Sequence, residues 1–270
     1  MLQFFTAKRT GSATAKRRVG KLPVFLLAAI VFAVTAPAGW TQDDDVDDDN
    51  ELPFKKTEFI IELTDNDIEI QSNIDGNEWK TLKISDPSGR TIFSTRTGGR
   101  LRIQGMSEMH WASEPSHYLV DDPTFDEPIE SFLARFPEGE YEFEARTITG
   151  EELEGVATFT HVLAALPEII APVSETDVPL VVDRNDVVLE WAPVTETFTG
   201  STDIEIVAYQ VIVEQAEPPR DAIINLSLTA TSYTVAPEFL QPGAEYEFEI
   251  IAIEASGNAS ISVGEFTTMP

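Results

Sequence analysis

The sequence predicts an all-β chain: two β-sandwiches in tandem, the first carrying a long loop and one short helix. Three observations lead there. From Thr57 onward apolar residues alternate with polar ones, as in Phe59, Ile61 and Leu63. The alternating runs are short and break at turn residues such as Asp86-Pro87-Ser88-Gly89. A five-residue pattern then recurs about a hundred residues further on. Period two places one side of each run on a core and the other in water. The repeat asks for two cores.

What precedes the first strand has a different composition. Residues 1–21 hold Lys8, Arg9, Lys16, Arg17, Arg18 and Lys21 and no acidic residue. Residues 22–35 are an apolar run, followed by Ala36-Pro37-Ala38. A basic start, a short apolar run and a small-x-small end are the parts of a secretory signal peptide, so 1–38 is expected to be a signal peptide cut after Ala38. A membrane anchor is the less favoured reading, because a span wants ~20 apolar residues and Pro37 interrupts this one. Residues 39–53 hold a run of aspartates at 43–49 with one valine among them, and with nothing to bury they read as an acidic disordered linker.

The whole chain has 47 Asp+Glu against 18 Lys+Arg, a net charge of −29, no cysteine and three histidines in 270 residues. Without 1–38 it would have 232 residues, 12 Lys+Arg and a net charge of −35. Nucleic acid and an anionic membrane surface are therefore not expected partners, since phosphates are repelled by such a surface. The missing cysteine excludes disulfides, a thiolate nucleophile and sulfur-ligated metals.

Residues 54–166 are expected to form the first sandwich. Ile129, Phe132, Leu133 and Phe136 recur at helical spacing, with Asp126 as a cap, Pro128 in the first turn and Pro137 as the stop. Glu140-Tyr141-Glu142-Phe143-Glu144 recurs as Glu245-Tyr246-Glu247-Phe248-Glu249, each copy after a Pro and a Gly. In both, Tyr and Phe should face the core and the glutamates water. Two units of this size fit immunoglobulin-like sandwiches.

The second unit, 167–270, resembles a fibronectin type III domain. The residues that carry the likeness are Pro172-Val173, the strand ending Leu189-Glu190-Trp191, the strand around Tyr209, and the corner from Leu240 through Pro242-Gly243 to Tyr246. The resemblance implies structural roles for Trp191, Tyr209, Leu240 and Tyr246, with Tyr141 as the counterpart in the first unit. It also implies a Tyr hydroxyl bonded back to backbone, and a role as an extracellular spacer or interaction module. There is no Arg-Gly-Asp tripeptide. The pairing with the less typical first unit resembles secreted bacterial proteins, a likeness that brings no activity with it.

Residues 105–125 are the least strand-like part and hold the candidate site: His110, Trp111, His117 and Tyr118. Trp111 and Tyr118 offer flat faces to a sugar or peptide. The competing reading, favoured because large aromatics gain most from burial, is that they close the edge of the sandwich. The two histidines lack helical zinc spacing, and Pro115 breaks any helix there. No cofactor is expected, although calcium on Asp121, Asp122 and Asp126 suits a carboxylate-rich turn. With no nucleophile elbow and no phosphate loop in the sequence, the expected function is a non-catalytic exported module, periplasmic or secreted. Its partner would be a protein or glycan of the cell envelope or exterior. The alternative is a carbohydrate-active enzyme using two loop carboxylates.

Overall fold

The structure, a computed structural model, describes residues 51–118, 128–174 and 178–270. The expected signal peptide, the linker up to residue 50, and Asp121, Asp122 and Asp126 lie outside the described residues.

The first unit comprises β1 (Glu51–Pro53), β2 (Lys56–Leu63), β3 (Asp67–Ser85), β4 (Thr91–Arg96), α1 (Leu101–Gln104), β5 (Met106–Ala112), β6 (Ser116–His117), α2 (Ile129–Leu133), β7 (Gly139–Thr147) and β8 (Glu152–Phe159). Its organising element is β3, 19 residues long. Residues 67–75 of β3 pair with β2 on one side and with β5 and β6 on the other. After register shifts around Asp75 and Trp79, Trp79 pairs with both Met106 of β5 and Thr147 of β7, and residues 81–85 pair with β4 and β7. One strand thus serves both halves of the fold. Gly76 sits at the crossing, where a Cβ would come within 2.8 Å of the Phe54 ring.

Inside lie Phe59, Ile61, Leu63, Trp79 and Tyr141, all buried. Phe59 stacks on Tyr141 at 4.2 Å and meets Phe159 edge-on at 5.2 Å. The expected helix is present as α2, shorter than its pattern, with Phe132 buried. Two departures stand out. α1 was not anticipated, and the first part of the expected long loop is strand β5. Its core-facing residues Met106, Met109 and Trp111 are unevenly spaced because β5 pairs across the register shift of β3. That hides the alternation.

The second unit comprises β9 (Ile169–Ala171), β10 (Leu180–Val182), β11 (Val188–Trp191), β12 (Ile206–Gln215), β13 (Arg220–Ser227), β14 (Ser232–Thr234), β15 (Glu245–Glu254) and β16 (Ala259–Thr268). A three-stranded sheet, β14-β11-β9, faces β16-β15-β12-β13, with β10 alongside β16. This is a fibronectin type III-like sandwich. Trp191, Tyr209, Tyr246, Phe248 and Phe266 fill it. Gly264 pairs with Phe248, whose ring comes within 2.3 Å of where a Cβ would stand, so the glycine makes room for it.

The units are joined through a shared sheet. β2 and β16 run parallel, with Glu62 opposite Ala259 and Leu63 opposite Ser260. The strand order is therefore continuous, β1-β8-β7-β3-β2-β16-β15-β12-β13. Buried Asn258 fastens the seam: its Oδ1 accepts from the Ile61 amide at 2.8 Å, and its Nδ2 donates to the carbonyls of Thr160 at 3.0 Å and Val162 at 2.8 Å. Ser260 donates to the Ala164 carbonyl at 2.7 Å, and Ala164 bridges to Thr197.

Candidate functional site

The four described candidate residues do not share one surface. Trp111 lies half-buried on the inner face of β5, stacked on Phe93 at 5.2 Å and edge-on to Phe59 at 6.1 Å. Its indole Nε1 has no hydrogen-bond partner among the described residues. His110, the preceding residue, points to the opposite face of β5, where its Nδ1 lies 2.8 Å from Asn73 Oδ1. Burial pushes its pKa down, which favours the neutral ring. Asn73 in turn donates to Glu58 at 3.0 Å.

His117 and Tyr118 sit towards the second sandwich. The His117 Nδ1 is 3.2 Å from the Asn66 side-chain amide and 3.8 Å from an Asp67 oxygen. The Tyr118 hydroxyl donates to the Thr64 carbonyl, and its ring meets Phe198 of the second unit edge-on at 6.1 Å. Burial, with Asp65 and Asp67 nearby, pushes that hydroxyl up to about 12. Both aromatics pack against the first core. Among the described residues no group of three or more His, Asp or Glu side chains is placed to hold a metal.

The residues named for structural roles are all buried. Tyr246 accepts from the Gln241 amide at 2.6 Å and donates to Gln215 at 2.9 Å. Tyr141 donates to the Pro137 carbonyl at 3.0 Å, and the Tyr209 hydroxyl accepts from the Val194 amide at 2.8 Å.

The unusual chemistry lies elsewhere, on the outer face of the shared sheet. Glu62 stands opposite Glu69, and Ile60 opposite Gln71. Like charges directly opposite repel, and here both carboxyls are buried. Gln71 lies between them, its Nε2 donating to Glu62 at 2.6 Å and to Glu69 at 2.9 Å. Burial first, then the charges of Glu69, Glu249 and Asp67, hold Glu62 well above the usual carboxylate range, with Gln71 opposing. Glu69 is raised mainly by burial. From the second sandwich Glu249 is raised to about 8 by burial and by Glu214 and Glu247. Such groups stay protonated where ordinary glutamates are charged.

Beside them the same face is apolar: Ala208 and Ile212 of β12, Ile251 and Ile253 of β15, Ala259 and Ile261 of β16. The expectation that the second Glu-Tyr-Glu-Phe-Glu copy turns its glutamates to water is corrected here, since Glu247 and Glu249 are half-buried and only Glu245 is exposed. One sequence signal was available. Ile250-Ile251-Ala252-Ile253 is a continuous apolar run, the pattern of a strand covered on both faces.

No family model matches the chain, and no curated protein matches it. Among solved structures it is similar to the FN1–FN3 domains of chicken CNTN1, at 11% identity and TM-score 0.32, covering 82% of this chain and 65% of that one. It is also similar to a two fibronectin type III domain segment of chicken tenascin, at 11% identity and TM-score 0.28, covering 80% of this chain and 99% of that one. The fold assignment stands on the strand order and registers above.

Proposed function

We propose that the chain is an exported, non-catalytic interaction module or spacer whose partner is a protein or glycan of the cell envelope or exterior. The observation that supports this most is the seam. The two paired positions between β2 and β16, fastened by Asn258, tie the sandwiches to each other. A spacer or adhesion module needs such a tie to present its surfaces at a set distance. The basic and apolar segments before residue 38 support export, and the excess of carboxylates disfavours phosphate-rich partners.

The test follows both binding and turnover. The full chain is incubated with envelope polysaccharides while bound protein and newly released reducing ends are measured. Binding without release is the expected result. Release that tracks the protein concentration would overturn the non-catalytic reading in favour of glycan hydrolysis. Melting temperature with and without millimolar calcium then tests calcium on Asp121, Asp122 and Asp126, an upward shift being the expected sign of binding.

A further inference from the structure

A strand at the end of a sheet leaves a row of amides and carbonyls unpaired, and folded chains blunt such edges by shortness, proline, lysine or bulges. Most edges of this molecule follow that rule. β9, β10 and β14 are three residues each, β1 is three with Pro53 among them, and β6 is two. β4 and β5 pair with β3 across register shifts. β13, the last strand of the sheet order, breaks the rule. It runs eight residues in unbroken register with β12, from Arg220 opposite Gln215 to Ser227 opposite Ala208. It contains no lysine and no proline, and its charges, Arg220 and Asp221, sit at one end. Among the described residues it pairs with β12 alone.

Antiparallel strands turn alternate residues to opposite neighbours. The Thr268 amide donates to the Ala244 carbonyl at 2.9 Å, which gives even-numbered residues of β15 to β16 and odd-numbered ones to β12. Followed through the registers of β15 with β12 and of β12 with β13, the alternation turns the even-numbered residues of β13 to β12. The amides and carbonyls of Asp221, Ile223 and Asn225 and the amide of Ser227 therefore face outward from the edge. The Ser227 carbonyl accepts from Ala230 at 2.9 Å. These four residues are exposed, Ile223 by 39%.

We infer that β13 takes up an extended segment of a partner protein as an added strand, with a lysine or arginine of that segment opposite Asp221. The registers select the cation. Asp221 stands opposite Glu214, Glu214 opposite Glu247, and Glu247 opposite Glu265, a row of carboxylates across four strands. Like charges directly opposite repel, so a cation added to the row relieves what a further carboxylate would worsen. Among the described residues none of the four has a salt-bridge partner. The neighbouring Arg220 is committed elsewhere, donating to the Gln215 side chain at 2.9 Å and to the Phe239 carbonyl at 2.8 Å. Two positions along, an aliphatic residue of the segment would lie beside Ile223. Half-buried Ile224 and Leu226, at the open flank of the core, favour aliphatic residues on the other face. Main-chain bonds give such a contact its affinity and alternate side chains its specificity. A second copy of β13 fits less well. Self-pairing matches outward-facing residues with one another, so Asp221 meets Asp221, Ile223, Asn225 or Ser227 in each antiparallel register and never Arg220. The inference rests on the reading of the chain as an interaction module and names the partner as protein.

A random peptide library displayed on phage, with the full chain immobilised as bait, makes the test. Enriched peptides should alternate aliphatic residues and carry lysine or arginine at one fixed position. Ile223→Pro removes an amide that faces the edge and leaves the bonds to β12 in place. Binding of synthetic copies of the enriched peptides should then fall at least about tenfold. Asp221→Lys should shift the enriched residue at the fixed position from lysine or arginine to aspartate or glutamate. Circular dichroism checks that each variant remains folded, and Asn225→Pro provides a second block at the edge should the first disturb the sheet. A library that yields no enriched peptide overturns the inference. So do peptides whose binding ignores both proline variants, and basic peptides that bind the Asp221→Lys chain equally well. Self-association in sedimentation velocity that Ile223→Pro abolishes, with no enriched peptide, would instead assign the edge to a second copy. None of these readings involves a glycan or its hydrolysis, so a failure here leaves the proposed function to its own test.

Discussion

The pentapeptide Glu-Tyr-Glu-Phe-Glu occurs in β7 and in β15, and the two copies live in different surroundings. Inward they are alike: Tyr141 and Phe143, Tyr246 and Phe248 are all buried, and both tyrosine hydroxyls bond back at a corner. Outward they part. Glu140, Glu142 and Glu144 are exposed, and β7 continues with exposed Arg146. Glu144 pairs with Lys83 and Arg146 with Glu152. In β15 the outward series runs from exposed Glu245 through half-buried Glu247 and Glu249 to fully buried Ile251 and Ile253. Glu249 finds Glu214 and Glu247 beside it. Alternation fixes which residues face the core, but the fate of the other face depends on what the sheet meets beyond it.

That contrast can be broken first on the shared side. Phe143→Ala and Phe248→Ala each empty a buried site, and each should cost about 3–5 kcal/mol. Urea unfolding of the full chain measures both. A cost below 1 kcal/mol for either would mean that the two cores are not equivalent.

The outward side should respond to pH in one direction. Glu249 carries a folded pKa of about 8, against ~4.3 for an unfolded glutamate. The folded state therefore holds a proton that the unfolded state has given up. The contribution is fully present below about pH 4.3 and is lost as pH rises through 8. Allowing for partial solvent screening, the loss is on the order of 2–3 kcal/mol. Glu249→Gln should flatten the fall in stability between pH 5 and 8, a comparison that unfolding at each pH makes directly. The remaining slope should come from Glu62, Glu69, Glu214 and Glu247, all raised chiefly by burial.

Asn258→Ala tests the seam between the two regions. It leaves the Ile61 amide and the Thr160 and Val162 carbonyls without their partner, at a cost of roughly 2–3 kcal/mol. Calorimetry should then show two transitions where the parent has one. Smaller still, Tyr246→Phe should cost about 1–2 kcal/mol and Tyr141→Phe about half as much, because the Tyr246 hydroxyl serves two partners and Tyr141 one. Glu142→Gln, on the open face of β7, should change stability by no more than about 0.5 kcal/mol.

Much of the fold could be read in advance because it is local. Phe59, Ile61 and Leu63 announce an inner face, and Leu240 through Tyr246 announces a corner. β3 was harder, since Asp75-Gly76-Asn77-Glu78 has the composition of a turn although the strand runs on through it. β5 was hidden by the same shift, which spaces Met106, Met109 and Trp111 unevenly. The buried carboxyls were not legible at all. Glu62 and Glu249 alternate like any solvent-facing glutamates, and only the joining of β2 to β16, nearly 200 residues apart in sequence, brings them onto one covered face. The candidate site fared similarly: Trp111 and Tyr118 are close in sequence, yet one belongs to the inner face of β5 and the other to the contact with Phe198.

The most direct test of the contrast is a carboxyl titration of Glu249 in the full chain, by NMR with labelled glutamate and Glu249→Gln to assign the signal. A midpoint near 8 is the expected result. A midpoint near the ordinary ~4.3 would mean that the outer face of β15 is as open to water as that of β7, and would contradict the account.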